Sequence, residues 1–263
     1  MSICYYIPVK DELEYLERSI PNLFKNMGKD DMILISIDKD KTPISIRNYL
    51  STFEDEKDIA WFRNDGGHPT MKVVEFEWCH DFSALKNLAF EYTDKEWIFQ
   101  LDADENLTET LIQQINPFLE TAKQEGWDGV MIPRINTYTD LEDYPNFIED
   151  NYLHFAFNDR GWMHWPEYCL RIYRNLDYIR WVGEIHESIQ GCKAHLQIEP
   201  SEDYAIIHEK SISKQIISDE YYNTFEHHRN LHHQNIQNRK KVVEAKLESI
   251  RFNSEQGFEE ENI

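Results

Sequence analysis

Basic residues are scarce in this chain. Lys and Arg total 27 against 49 Asp and Glu, a formal net charge of −22 over 263 residues. Such a surface repels phosphate backbones and anionic lipid, so a broad nucleic-acid face is disfavoured. Cysteine is also sparse. Cys4, Cys79, Cys169 and Cys192 are widely spaced and form no Cys-x-x-Cys pair, which argues against a disulfide framework. They read as free buried thiols in a reducing compartment. Long apolar runs are missing, and none approaches the ~20 residues that a membrane helix needs. The opening Met1-Ser2-Ile3-Cys4 has no basic region followed by an apolar segment. No signal peptide is expected, and the protein is expected to be soluble and cytoplasmic. No internal repeat and no low-complexity linker breaks the chain.

What is present is enough apolar material for a core: hydrophobic residues make up 41% and aromatics 13%, which excludes global disorder. The length suits one large α/β domain, or one domain with a helical appendage. Apolar runs at Ile3–Val9, Met32–Ile37, Ile59–Phe62, Trp97–Leu101 and Val130–Ile135 read as strands. Between them lie helical patterns after Asp11 and Glu14, over 44–53, over 83–92, and after Asn106 and Glu109. Asp11 with Glu14, and Asn106 with Glu109, are the expected helix caps. Pro21 interrupts the first helix. Asn64-Asp65-Gly66-Gly67 is a turn cluster. This alternation predicts βαβ units on a mostly parallel sheet. The rhythm breaks after residue 136. Residues 138–167 read as a long loop region with a short strand over Leu153–Phe157, and strands follow at Tyr168–Tyr173, Tyr178–Val182 and Tyr204–Ile207. From about Ser213 the chain turns helical and polar, ending in an acidic tail at Glu255–Glu261.

The most informative stretch is Trp97-Ile98-Phe99-Gln100-Leu101-Asp102-Ala103-Asp104-Glu105. An apolar strand that delivers several carboxylates at its tip is costly unless something cationic sits there. A hard divalent ion, Mg²⁺ or Mn²⁺, prefers carboxylate and phosphate oxygens. In an open α/β sheet, ligands bind beyond the carboxyl ends of the strands. An Asp-x-Asp there suggests a metal-bridged phosphate such as the diphosphate of a nucleotide-sugar. A solvated turn gives the same letters. On an extended strand end Asp102 and Asp104 have the same parity and both face the ligand side. Asp104 is the preferred metal ligand; Asp102 falls to the ribose or to a metal-bound water, and Glu105 reads as a spectator.

Four further segments give this stretch its context: Asp81-Phe82-Ser83-Ala84-Leu85-Lys86-Asn87, Arg171-Ile172-Tyr173-Arg174-Asn175, Val182-Gly183-Glu184-Ile185-His186-Glu187, and Ile206-Ile207-His208. The ordered set resembles the family 2 glycosyltransferases with the GT-A fold. The nearest subgroup carries DFSxARN, WIxxLDADE, RLFRN and R-x-x-G-x-VHE. The resemblance covers residues 1–210. The remainder, 211–263, is then a C-terminal helical extension. Two departures stand out. Lys86 replaces the family's usual Arg, keeping the charge but losing a bidentate fork. The segment between Asp140 and Glu167 is unusually aromatic.

The resemblance implies a metal-dependent inverting hexosyltransferase using a nucleoside-diphosphate sugar, by default a UDP-sugar, with Mn²⁺ or Mg²⁺. The acceptor it implies is a glycan, a lipid-linked sugar or a protein. Asp38 would hold the base or ribose, or is a turn residue before Lys39-Asp40-Lys41. Asp81 would contact the nucleotide, or is a plain helix N-cap. Lys86 would reach the diphosphate. Glu187 is the first choice for the general base and Glu184 the second, with His186 orienting the diphosphate or the base. His208 would complete a metal set with Asp102 and Asp104, or is structural. Of Arg171 and Arg174, one anchors the sheet through a carboxylate and the other faces the donor phosphates; spacing does not separate them.

Three features lie outside the resemblance. Trp162 and Trp165, with Tyr152 and Tyr168, form a candidate acceptor wall, because aromatic faces stack on sugars; a satellite core under a long loop gives the same pattern. In the run of His227, His228, His232 and His233, the i, i+4 pair His228 and His232 lacks a third ligand with Cys or His spacing, so the run reads as a solvated helix face. The segment after Val9, Lys10-Asp11-Glu12-Leu13, lacks the Gly-rich basic loop of a nucleotidyltransferase. Two alternatives remain: a virus-encoded transferase that decorates modified DNA bases, which the charge of −22 disfavours, and a non-catalytic nucleotide-sugar-binding protein on the same fold.

Overall fold

The structure, a computed structural model, describes residues 1–53, 70–147, 156–222, 224 and 225. Contacts divide the chain into two units, residues 1–215 and 216–263. The first opens with three βα steps: β1 (Ile3–Val9), α1 (Leu13–Asn26), β2 (Met32–Asp38), α2 (Ile44–Ser51), β3 (Thr70–Phe76) and α3 (Phe82–Tyr92). It continues through β4 (Trp97–Gln100), β5 (Glu105–Leu107), α4 (Glu109–Gln124), β6 (Gly129–Tyr138) and β7 (Met163–Arg174). The last elements are β8 (Arg180–Val182), β9 (Ser188–Gln190), β10 (His195–Gln197), β11 (Ile206–Lys210) and α5 (Ile212–Tyr222), the helix in which the two units meet along the chain.

The described strands build one large sheet in the order β3-β2-β1-β4-β7-β6-β11-β5, with β10 also on β6; β8 and β9 form a separate hairpin. Pairing is parallel from β3 to β4 and again where β10 and β11 meet β6. It is antiparallel around β7 and at β5. Strand β1 sends the chain to β2 on one side and lies beside β4 on the other. The carboxyl ends of β1 and β4 therefore frame the switch point at which such sheets take up ligands.

The central strands are buried on both faces, which is why they read as continuous apolar runs. Ile3, Tyr5, Ile7 and Val9 join Trp97 and Phe99 in a core with Leu16, Ile20, Leu23 and Leu111. Cys4 and Tyr6 face the other way with Ile98, Tyr173 and Trp181. The two-residue alternation of each strand feeds both layers. Pro21 does not break α1, which runs unbroken as 14 residues. The buried stripe of Leu16, Ile20, Leu23 and Phe24 offsets the roughly 3 kcal/mol that an interior proline costs.

Several sequence expectations need correction. The helix caps differ: α4 is capped by Thr108, whose hydroxyl accepts from the Leu111 amide, while Asn106 lies in β5. Helix α1 follows Glu12 without a side-chain cap, and the Glu12 carboxylate accepts instead from the Lys10 and Asp11 amides. Strand β3 was not expected. It is an edge strand on which only Val74 is buried, so its apolar pattern is faint. Strands β6 and β7 are longer than the apolar runs suggest, and residues 163–167 are strand instead of loop. Tyr204 lies in a short 3₁₀ turn ahead of β11. Of the four free cysteines only Cys4 is buried, where desolvation pushes its thiol up to about 12; Cys79 is exposed. The expected strand 59–62, the turn cluster 64–67, Tyr152, most of 153–157, the histidine run 227–233 and the acidic tail lie outside the described residues.

Candidate active site

The end of β4 gathers the charge that the sequence pointed to. Asp102 lies just beyond the strand, and its two oxygens face two cations. Arg171 Nη2 donates to Oδ2 at 2.5 Å, and Lys86 Nζ stands 3.7 Å from Oδ1. Burial raises the Asp102 carboxyl, but the Arg171 and Lys86 charges outweigh it and hold the group well below the usual carboxylate range. Glu105 is no spectator. Its fully buried side chain accepts from Arg171 Nη2 at 2.6 Å and from Arg134 Nη1 at 2.9 Å, while its other oxygen accepts from the Asp102 amide at 3.0 Å. Arg134 in turn donates to Glu167, as does Asn136 Nδ2. A chain of alternating charge thus crosses from α3 to β6. Arg134, Glu167 and Asn136 were not singled out from sequence, and Glu105 was given no role. The available signal was Arg134 itself, a charged side chain inside the apolar run of β6.

Asp104 turns elsewhere. Its carboxylate stands 3.4 Å from His208 Nε2, and His208 Nδ1 meets the Asn136 amide oxygen at 2.9 Å. Burial raises the Asp104 carboxyl, but the His208 hydrogen bond and charge leave it below its ordinary value. The expected set of Asp102, Asp104 and His208 is not assembled as one cage. Among the described residues no group of three or more His, Cys, Asp or Glu side chains is placed to hold a metal. The physical reason is that Asp102 is already committed to Arg171 and Lys86. Asp104 and His208 remain adjacent. Two protein donors fit a divalent ion that takes its other oxygens from phosphate and water.

The loop after β8 supplies the remaining candidates. Gly183 at φ +113° and His186 at φ +53° lie in the left-handed region, and between them they turn the chain toward Glu187. Glu187 Oε1 is 2.6 Å from Lys86 Nζ. Lys86 also lies 4.6 Å from the Trp181 ring centroid, so one buried ammonium serves Glu187, Asp102 and an aromatic face. The loop is tied to α3 twice. Asn87 exchanges two 2.9 Å hydrogen bonds with the Trp181 backbone, and the Phe82 amide donates to the Glu184 carbonyl. Glu184 and His186 are exposed. Lys86, Asp102, Arg134, Arg171, Trp181 and Glu187 line a common cavity of about 470 Å³.

The other sequence candidates fall into three places. Asp81 caps α3, accepting from the Ala84 amide and the Ser83 hydroxyl. Asp38 ends β2 and accepts from the Asp40 and Lys41 amides at 2.9 Å, the turn arrangement weighed for it. Arg174 is not brought to the carboxylates. It pairs in register with Trp97 at the start of β4 and faces Asp128 at 3.9 Å, whereas Arg171 lies at the ligand end. Trp162 and Trp165 meet edge to face at 5.1 Å and line a different cavity.

No protein-family model matches this sequence, and no curated protein matches it. Solved structures match in fold. Residues 1–349 of S. aureus TarS align over 80% of this chain and 60% of that one, at 12% identity and a TM-score of 0.50. This chain therefore spans about 60% of the length of that structure. The mannosyltransferase PcManGT from Pyrobaculum calidifontis, in complex with GDP-Man and Mn²⁺, aligns over 50% of this chain and 35% of that one, at 16% identity and a TM-score of 0.38. The likeness is one of fold: a mixed, mostly parallel sheet flanked by helices, GT-A-like in its architecture.

Proposed function

We propose that this chain is a glycosyltransferase that moves a sugar from a nucleoside-diphosphate donor, by default a UDP-sugar, to an acceptor hydroxyl with inversion. The observation that carries the reading is the joint cavity of Lys86, Asp102, Arg171 and Glu187 at the switch point of a GT-A-like sheet. A chain of net charge −22 repels a diphosphate almost everywhere, and this cavity concentrates cations at the place where such folds take nucleotides. Lys86 holds the diphosphate as a point charge. Arg171 fixes Asp102, which is left a ribose hydroxyl or a metal-bound water as its ligand. Asp104 and His208 would hold Mn²⁺ or Mg²⁺, which neutralises charge on the departing diphosphate when bound.

Glu187 acts as the general base. As the acceptor oxygen attacks the anomeric carbon, its proton passes to the Glu187 carboxylate. The bond from that carbon to the diphosphate oxygen breaks, and the nucleoside diphosphate leaves with the electron pair. Residues 1–210 carry this chemistry, and 211–263 form an extension to it. No described helix is long and apolar enough to cross a membrane.

The test is a thermal-shift panel of UDP-, GDP-, CMP- and dTDP-sugars with and without Mn²⁺. A donor at about 100 times its Kd stabilises the native state by about 2.7 kcal/mol. One nucleotide class should raise the melting temperature in a Mn²⁺-dependent manner, and Asp104→Asn should remove the Mn²⁺ dependence. If no nucleotide-sugar shifts the transition, the assignment fails. If one does so equally in Asp104→Asn, the metal role of Asp104 fails.

A further inference from the structure

A second cavity, of about 710 Å³, lies where the turn before β7 meets the segment before β11. Its size falls within the ~300–1,000 Å³ of small-ligand sites. Its residues are not those of the cavity around Lys86 and Asp102. Trp162 and Trp165 supply two partly buried aromatic faces set at 71°. The turn that presents Trp162 is locked by Asn158, whose side-chain oxygen accepts from the Arg160 and Trp162 amides at 3.0 Å each. The opposing wall is also held: the Thr108 hydroxyl donates to the Asp203 carbonyl at 2.6 Å, and Ser201 accepts from the Asp203 amide. An Arg160–Glu202 ion pair joins the two walls.

The chemistry of this lining is selective. Aromatic faces stack on the C–H side of a sugar ring, and carboxylates accept from its hydroxyls. Among the described residues the lining includes Asp159, Glu202 and Asp203 against one cation, Arg160. That guanidinium is already engaged by Glu202 and by the Trp162 ring, 5.0 Å away. Among the described lining residues three acids face one base, so a phosphate, sulfate or uronate meets net negative charge. A purely apolar ligand would leave the carboxylate rim without partners.

We infer that this cavity binds an uncharged or amino-bearing oligosaccharide and rejects anionic glycans. It deepens the glycosyltransferase reading, on which only the role of the bound glycan as acceptor depends; saccharide binding at the cavity does not. Where the bound glycan is the acceptor, phosphate-bearing and uronate polymers are disfavoured in that role.

The experiment is calorimetric titration of the full chain with cellotetraose, maltotetraose, chitotetraose and tetragalacturonate, with no donor present. At least one of the three uncharged tetrasaccharides should bind, and tetragalacturonate should not. Trp162→Ala should weaken that binding about tenfold, the scale of one lost stacking contact. Trp162→Phe keeps an aromatic face and should restore most of it, which separates stacking from a folding defect. The inference is overturned if no uncharged tetrasaccharide binds, if tetragalacturonate binds as well as they do, or if Trp162→Ala binds normally. A UDP-sugar titration on the same sample reads the other cavity. Glycan binding without donor binding would remove the transferase reading and leave this one standing.

Discussion

Replacing Glu105 with Gln should be among the most damaging isosteric changes in the chain, although the residue sits in a run of surface-looking acids. One Glu105 oxygen accepts from Arg171 Nη2 and Arg134 Nη1, at 2.6 and 2.9 Å. The other accepts from the Asp102 amide at 3.0 Å. Every partner is a donor. A glutamine has only one accepting oxygen, so whichever way its amide is turned, its NH₂ must face either two guanidiniums or a backbone N–H. The side chain is fully buried, so water cannot relieve the conflict. Breaking a buried ion pair from one side costs about 3–5 kcal/mol. At roughly 2–4 °C per kcal/mol for a unit of this size, the melting temperature should fall by about 6–20 °C.

Glu109→Gln is the internal control. Its ion pair with Lys25 has side chains 55% and 62% exposed, and such pairs contribute about 0–1 kcal/mol. Differential scanning calorimetry of both variants decides the matter. A Glu105→Gln transition no lower than that of Glu109→Gln would refute the claim that Glu105 anchors the arginine network. The same variant should also weaken nucleotide-sugar binding, because either the Asp102 amide or Arg171 loses the oxygen that fixes it.

Three further outcomes are expected. Glu187→Gln should keep donor binding and lower turnover by about 10²–10⁴-fold, the usual contribution of a general base, whereas a dead Glu184→Gln beside a competent Glu187→Gln would move the role to Glu184. The Asp102, Asp104 and Glu167 carboxyls all lie below their ordinary values in the folded state. The stability they contribute is complete above the unfolded carboxylate range near pH ~4 and is lost as pH falls through the folded values. Glu12 and Asp31, pushed up by burial, act in the opposite sense just above that range. Melting temperatures between neutral pH and pH 3 should therefore drop more steeply for the wild type than for Asp102→Asn, and equal slopes would exclude Asp102 as a source. Finally, a chain ending at Lys210 loses the fully buried Ile212 and the cap that Asp140 makes to the Ile212 and Ser213 amides. Burial of one such side chain contributes about 1.5–3 kcal/mol, so that truncation should melt measurably lower; an unchanged transition would make everything after Lys210 dispensable to the sheet.

The βα alternation was legible because strands buried on both faces leave an unmistakable apolar trace, as in Ile3–Val9 and Trp97–Gln100. Strand β3 left none, since it lies at an edge and buries one residue. The opening of β7 was hidden for a related reason. Met163 to Glu167 alternates buried Met163 with exposed His164 and includes Pro166, so the segment resembles a loop until its pairing with β6 is known. At the site, the carboxylates were visible as a cluster, but their partners were not. Arg134, Glu105 and Glu167 lie up to 62 residues apart in sequence and meet only because β7 inserts antiparallel between β4 and β6. Parity on a strand tip places Asp102 and Asp104 on one side, yet the chain has left the strand by then, and each finds a different partner.

The three cations of the site differ in what they can do. Arg171 and Arg134 are planar forks wedged among carboxylates that face them from two strands and a turn; moving either would strand a buried charge. They are fixed parts of the frame. Lys86 is a flexible point charge whose partners are Glu187 at 2.6 Å, Asp102 at 3.7 Å and a Trp181 face. It can turn toward an incoming diphosphate without leaving Asp102 alone, since Arg171 stays on it. Glu187 is then the group released from its counterion. On the proposed reading, Lys86 forgoes the bidentate grip on phosphate that an arginine would give and leaves a cation able to exchange partners between donor and base.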